Sequence, residues 1–361
     1  MFHRLWSPEQ AGADYPMRRT AFGSIPCGAN ASIFSIAHAS GIRAAVTDFG
    51  ATLVSLEVPD RSGRMGDVIL GFSRAEDYAA HADYYFGSTV GRFGNRIAHG
   101  RFELEGRRHQ LITNNSPGGQ PCHLHGGIVG FHQRLWSLED AGEDYVRFGY
   151  RSPDGEEGYP GNLRATVTYR VGPERQLTWT AEAVSDAPTI VNLVHHPYWN
   201  LSGGEVPTVD GHALQLFAES YLPVTDGKIP TGEIRSVAGT PMDFRQSHAV
   251  KNDEGFDYDH CWVLDRPPAA DDLVLAARLS DHRSGRVLEI PTNQPGIQFY
   301  DGSFLDGSVT GRGGRRYGPR AGLCLEPQNF PDAPNHLNFP SCYLAHSEVY
   351  SNCVRYKFDA N

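Results

Sequence analysis

No stretch of the 361-residue chain is apolar over the ~18 residues that a membrane helix needs. Basic charge is scarce as well. Lys and Arg total 32 against 42 Asp and Glu, a formal charge of −10, so the chain lacks the basic patch that a nucleic-acid partner requires. The one local exception, Arg312-Gly313-Gly314-Arg315-Arg316, sits among glycines and reads as a solvated loop. Met1 to Pro16 has no apolar segment of the kind a secretory signal carries. Residues 1–16 read as a polar lead-in, and 17–361 as a single domain. The six cysteines form no C-x-x-C pair and match no metal-knuckle spacing, so reduced thiols in a cytoplasmic protein are expected. Long helical periods are also missing. With 40 Gly and 24 Pro the chain is turn-rich, and its clearest helix signal is the capping-box spacing Ser73-Arg74-Ala75-Glu76, which predicts a short helix to about His81.

What is present is strand pattern. Val54, Leu56 and Val58 alternate with Ser55 and Glu57, and Pro59 to Gly63 turns the chain. Phe102 and Leu104 alternate with Glu103 and Glu105, and Gly106 makes a hairpin turn. Leu163, Ala165, Val167, Tyr169 and Val171 form one apolar face, and Leu177, Trp179, Ala181 and Ala183 another. These two runs, joined at Gly172-Pro173, predict adjacent antiparallel strands with one face buried. A last strand places Tyr350, Asn352, Val354, Tyr356 and Phe358 on one side. Strand signals recur from Ile42 to Phe358 without a linker or repeat, which predicts an all-β chain of packed antiparallel sheets, a sandwich.

Polar residues interrupt this pattern at a few places. Val191 to Leu201 reads VNLVHHPYWNL, with two histidines, two asparagines and two aromatics between apolar segments. Buried polar groups need hydrogen-bond partners, and a histidine between aromatics can be held in one orientation and titrate near neutral pH. An aromatic wall beside hydrogen-bonding side chains suits a sugar, which has apolar faces and polar edges. Phe86 to Gly100 is glycine-rich and carries Asn95 and Arg96. His123 and His125 flank Leu124. On a strand they would share a face, as a metal pair or as one ligand-contacting and one structural histidine. Asp257 and Asp259 lie among aromatics, Gln298 is the odd polar member of a strand, and Glu326 ends an apolar one, as a surface end or a placed base.

Together the motifs resemble the aldose 1-epimerase (galactose mutarotase) family. The residues that carry the resemblance are Gly91-Arg92-Phe93-Gly94-Asn95-Arg96-Ile97, Leu124-His125-Gly126-Gly127, Asn192 to Leu201, Gly255 to Leu264, Gly296 to Tyr300 and Leu325 to Asn335. They run in the family's order across nearly the whole chain. The resemblance implies a large antiparallel β-sandwich with a sugar cleft on one sheet. It implies His196 as general acid and Glu326 as general base, with Asn95, Arg96, His125, Tyr198, Asp259 and Gln298 lining the sugar site. The sequence departs from the family where Val194-His195 and Pro197 flank the acid histidine. The register of Tyr198 and Asn200 favours His196 over His195, and Trp262-Val263-Leu264 places Asp259 rather than Asp257 in register.

Exchanging the anomers of an aldose requires no cofactor and no metal, only a base at the C1 hydroxyl and an acid at the ring oxygen. An accessible Glu326 is expected to be ionised, and nearby negative charge from Glu326 and Asp259 is expected to raise His196 and keep it protonated. The expected partner is a free monosaccharide, with neither nucleic acid nor membrane, and the protein is expected to be a monomer or homodimer. Three other readings use the same residues: a non-catalytic carbohydrate-binding protein, a hexose-6-phosphate epimerase using Arg92 and Arg96, and a glycoside hydrolase pairing Glu326 with Asp259.

Overall fold

The computed structural model describes residues 17–251, 255–265 and 273–361, so the lead-in 1–16 lies outside the described residues. The predicted hairpin pairs Leu163–Gly172 with Gln176–Ser185 in unbroken antiparallel register. Leu163, Ala165, Val167, Tyr169 and Val171 are buried while Arg164 and Arg170 face solvent, as a period of two demands. The closing strand Tyr350–Ala360 pairs along the other edge of Gln176–Ser185, with Asn352, Val354, Tyr356 and Phe358 buried. These strands lie at the middle of a nine-stranded antiparallel sheet.

A six-stranded sheet contains Asp259–Val263, Gly296–Tyr300 and Leu323–Gln328 as neighbours and ends on Tyr198–Trp199. A five-stranded sheet holds the N-terminal strands from Arg18–Ser24 to Met65–Asp67. One continuous core joins all three: Phe34 and Leu53, Phe148 and Trp179, Trp262, Phe299 and Leu325 are packed in the same cluster. Each such side chain contributes about 1.5–3 kcal/mol on burial. The architecture is a large antiparallel β-sandwich.

Three local expectations change. The strands Arg18–Ser24 and Asn30–Ala37 precede the first predicted one. The second is buried on both faces through Ile33–Ala37, so its sequence shows no alternation. The helix covers Ala75–Ala80 with Arg74, not Ser73, at its N-cap and no side-chain cap bond. Glu76 does not reach back to close a capping box, because its carboxylate accepts the Ser24 N–H at 2.7 Å. Arg312 is not solvated: its guanidinium donates to Asp67 Oδ2 at 2.6 Å, Ile69 O at 2.8 Å and Val54 O. It clamps the glycine loop onto the N-terminal sheet, while Arg315 and Arg316 are exposed.

Candidate active site

Three adjacent strands of the six-stranded sheet each present a polar side chain on the face away from the core. Leu325, Phe299 and Trp262 point into the core, so Glu326, Gln298 and Asp259 emerge on the opposite side. Gln298 pairs directly with Glu326 in the register, and its Nε2 donates to Asp259 Oδ1 at 2.7 Å. Asp259 Oδ2 lies 3.4 Å from Arg96 Nη1. Asp257, by contrast, is exposed.

The adjacent histidines part company for the same reason. His195 is buried in the core, stacked on Trp179 at 5.2 Å and 9°, with Nδ1 2.9 Å from the Tyr356 hydroxyl. His196 turns the other way, with its ring stacked on Tyr198 at 5.3 Å. Its Nε2 stands 3.6 Å from Glu326 Oε1, and its Nδ1 stands 3.6 Å from Cys324 Sγ.

Two of the glycine motifs pack on each other to complete the wall. Gly126 has φ 83°, and a Cβ there would lie 1.7 Å from Gly91 O, so only glycine permits the approach. The strand Cys122–Leu124 ends before His125, whose φ is 51°. The two histidines of His-x-His therefore do not share a face. His123 is buried between Ile112 O (2.8 Å) and the Tyr159 hydroxyl (2.7 Å). His125 Nδ1 accepts the Asn95 N–H at 3.0 Å, which leaves its ring proton on Nε2. Asn192 ties the wall to the sheet by donating to Gly94 O and accepting from the Asn329 N–H.

Asn95, Arg96, His125, His196, Tyr198, Asp259, Gln298 and Glu326 all line one cavity of about 580 Å³. Sequence reasoning missed others on the same wall. Tyr85 packs against His125 (4.5 Å), His132 (4.6 Å) and His196 (5.7 Å). Lys228, Tyr300 and Phe304 line the cavity from separate loops and strands. Tyr85 adjoins the first glycine motif, but nothing local to Lys228 marks it. Arg92 is not at the cavity: it donates to Ser152 Oγ and to the carbonyls of Ser152, Pro153 and Pro160.

Burial sets the electrostatics. It pushes the Glu326 carboxyl well above its usual range, helped by the charge of Asp259 and opposed by Arg96. It lowers His196 to about 4, against the weaker pull of Asp259. The expected upward shift of His196 is thus overturned in the free protein, and Glu326 is a buried carboxyl whose charged form is disfavoured, not an accessible one. Desolvation of an imidazolium outweighs attraction to one neighbouring carboxylate. Burial also raises Asp259, but Arg96, Lys228 and the Gln298 hydrogen bond together hold it below the ordinary carboxylate value. His125 is held well below its usual value by burial and by His196 and Arg96, and so is a neutral donor. Among the described residues Glu326 Oε2 and Arg96 Nε have no hydrogen-bond partner, although both are buried.

A β-sandwich cleft that holds one buried histidine–carboxylate pair beside an Arg–Asp–Gln network defines an acid–base site for a small hydroxylated ligand. The family model for aldose 1-epimerase matches residues 32–357. Galactose mutarotase of Bos taurus is 40% identical over 347 residues, covering 94% of this chain and 98% of the relative. Aldose 1-epimerase of Escherichia coli (strain K12) is 35% identical over 345 residues, covering 93% and 97%. The solved structure of an aldose epimerase homologue from C. elegans superposes with a TM-score of 0.84 at 33% identity, covering 91% of this chain and 98% of that one. Galactose 1-epimerase from Lactobacillus acidophilus NCFM gives 0.80 at 27% identity, covering 95% and 98%. The chain belongs to the aldose 1-epimerase family. It is an isomerase that interconverts the α and β anomers of an aldose.

Proposed function

We propose that His196 and Glu326 are the acid–base pair of this reaction, and that galactose and glucose are its substrates. The observation that carries the assignment is their placement. The two side chains stand 3.6 Å apart in the cavity wall, both buried, with Glu326 Oε2 unpartnered inside the protein. The relatives' names specify galactose, and glucose is included because it differs from galactose by the orientation of one hydroxyl.

The pair holds one proton in the free protein, residing on Glu326 with His196 neutral. Moving it across gives carboxylate and imidazolium without any exchange with solvent. A bound sugar presents hydroxyls to the unpartnered Glu326 Oε2, and each hydrogen bond to a carboxylate favours its charged form. In that state Glu326 removes the C1 hydroxyl proton while His196 protonates the ring oxygen. The C1–O5 bond opens, the free aldehyde rotates about C1–C2, and closure on the other face returns both protons. Placed acid–base groups contribute ~10²–10⁴ in rate. Arg96, Asp259, Gln298 and the His125 Nε2–H hold the ring, which fixes C1 and O5 against the pair. Asn95 presents its N–H to His125, and Tyr198 supports the His196 ring.

Asp259 is already engaged by Arg96 and Gln298, which favours a positioning role over the second carboxylate of a hydrolase. The buried Arg92 is spent on carbonyls, which weakens the hexose-6-phosphate reading. The test is polarimetry on freshly dissolved α-D-galactose and α-D-glucose. Glu326→Gln and His196→Asn are each expected to lower kcat by about 10²–10⁴ with an unchanged melting curve. Near-wild-type turnover in either variant removes that residue from its role.

A further inference from the structure

We propose that His196, Cys324 and Glu326 form a binding site for a thiophilic divalent cation such as Zn²⁺, and that its occupancy switches the epimerase off by capturing the acid–base pair. The binding half stands on geometry alone. The inhibitory half rests on the assignment of His196 and Glu326 above.

Cys324 and Glu326 lie two residues apart on the strand Leu323–Gln328, so both side chains leave the sheet on the same face. The third ligand arrives from a segment 128 residues away. One His196 nitrogen, Cys324 Sγ and one Glu326 carboxylate oxygen all lie within 4.8 Å of one another, and all three residues are buried. The 3.6 Å separations involve different ring nitrogens, Nδ1 toward Cys324 Sγ and Nε2 toward Glu326 Oε1, and a single His196 nitrogen lies within 4.8 Å of both partners. A tetrahedral Zn²⁺ has a sulfur ligand at about 2.3 Å and nitrogen and oxygen ligands at about 2.0–2.2 Å, which places the ligands roughly 3.3–3.6 Å apart. Side-chain rotations that draw the separations in by up to about 1.5 Å therefore complete three corners of the shell.

The fourth corner opens on the sugar cavity, because His196 and Glu326 both line it. Three protein ligands and an open position are the pattern of accessible zinc sites rather than closed structural ones. Charge also balances. The Cys324 thiol and the Glu326 carboxyl each give a proton to solvent as the metal–sulfur and metal–oxygen bonds form, no oxidation occurs, and thiolate plus carboxylate neutralise the two positive charges. The cavity wall then holds a neutral complex instead of an unpaired ion. Arg96, a cation of the same cavity wall, is already engaged with Asp259. Sulfur and imidazole donors select Zn²⁺ over Mg²⁺, which prefers oxygen ligands in octahedral geometry.

With the metal bound, the His196 lone pair and the Glu326 oxygen are committed to it, so neither can exchange a proton with the sugar. The aldose and the cation then compete for one cavity.

The experiment uses the full chain after chelator treatment. Zn²⁺ and Mg²⁺ are titrated against the mutarotation rate, and Co²⁺ binding is followed by absorption for a thiolate-to-metal charge-transfer band. Cys324→Ser, Cys324→Ala and the exposed-thiol control Cys27→Ser are each compared with their own metal-free rates. Expected are inhibition by one equivalent of Zn²⁺ that a chelator reverses, no effect of Mg²⁺ at the same concentration, and the Co²⁺ band. Both Cys324 variants are expected to lose the band and to weaken Zn²⁺ inhibition at least tenfold, while Cys27→Ser behaves as wild type. Absence of the Co²⁺ band, or equal Zn²⁺ inhibition with and without Cys324, overturns the site. A band with no loss of rate upholds the site, and overturns both the switch and the assignment of His196 and Glu326.

Discussion

His196 Nε2 stands 3.6 Å from Glu326 Oε1, and burial disfavours the charged form of each. Burial therefore favours the uncharged pair, with one proton shared between the two residues, in the free enzyme. His196 gains a second proton only as pH falls toward about 4, and Glu326 loses its own only as pH rises through its raised value. The profile of kcat/KM is expected to run flat through pH 6.5 and to decline toward 4, with its basic limb set by Glu326. An acidic limb centred near 6.5, the value of an unshifted histidine, would contradict the neutral imidazole.

Asp259 and Asp257 are expected to separate cleanly. Asp259 bonds Gln298 and Arg96 in the cavity wall, whereas Asp257 is exposed. Asp259→Asn removes a charge-assisted bond worth ~1.5–3 kcal/mol, so kcat/KM should fall about 10- to 100-fold. Its loss also takes away a negative charge that raises Glu326, so the basic limb of the pH profile should move to lower pH. Asp257→Asn should stay within about twofold of wild type, as an exposed loop change away from the site. Equal losses in the two variants would count against the register that distinguishes them.

His195 is a core residue. Its ring is stacked on Trp179 and hydrogen-bonded to Tyr356, and burial lowers it to about 3. His195→Gln should cost ~1–3 kcal/mol of stability and leave turnover per folded molecule nearly intact. The linkage has a definite sign. His195 is neutral when folded and titrates near 6.5 when unfolded, so its contribution is complete above 6.5 and is lost as pH falls toward 3. Urea unfolding of the variant should accordingly show a shallower acid dependence below pH 6.5, by up to ~1.4 kcal/mol per pH unit. A loss of turnover without a loss of stability would move His195 into the chemistry.

Arg312 holds the partly buried Asp67 carboxylate and the carbonyls of Val54 and Ile69. Arg312→Ala takes the cation from the partly buried Asp67 and a donor from two carbonyls, and should destabilise the fold by ~1–3 kcal/mol in denaturant unfolding. Arg312→Lys should recover little of it, because one ammonium cannot match a planar fork of donors. A variant of wild-type stability would return this loop to the solvated state that its glycines suggest.

The strands that carry the site were legible because each has one buried face. Period-two alternation marks Leu163–Gly172 and Tyr350–Ala360 directly, and the six family motifs name the residues that line the cavity. Asn30–Ala37 escaped because burial on both faces erases alternation. Lys228 and Phe304 escaped because the loops that bring them to the cavity have no periodic signal.

The sequence by itself determined the residue types, their order and their place on alternating faces. That is enough to specify a β-sandwich and, through the family resemblance its motifs carry, to imply an acid–base chemistry at an anomeric carbon. The motif register already favoured His196 over His195, and the tertiary structure showed why, with His195 in the core and His196 in the cavity wall. Only the tertiary structure decided that burial outweighs nearby charge in governing the proton on His196 and Glu326. And it brought Cys324 to His196 across 128 residues of chain. Proton affinity and ligand geometry depend on desolvation and on distances between segments remote in sequence, and neither exists until the sheets have packed.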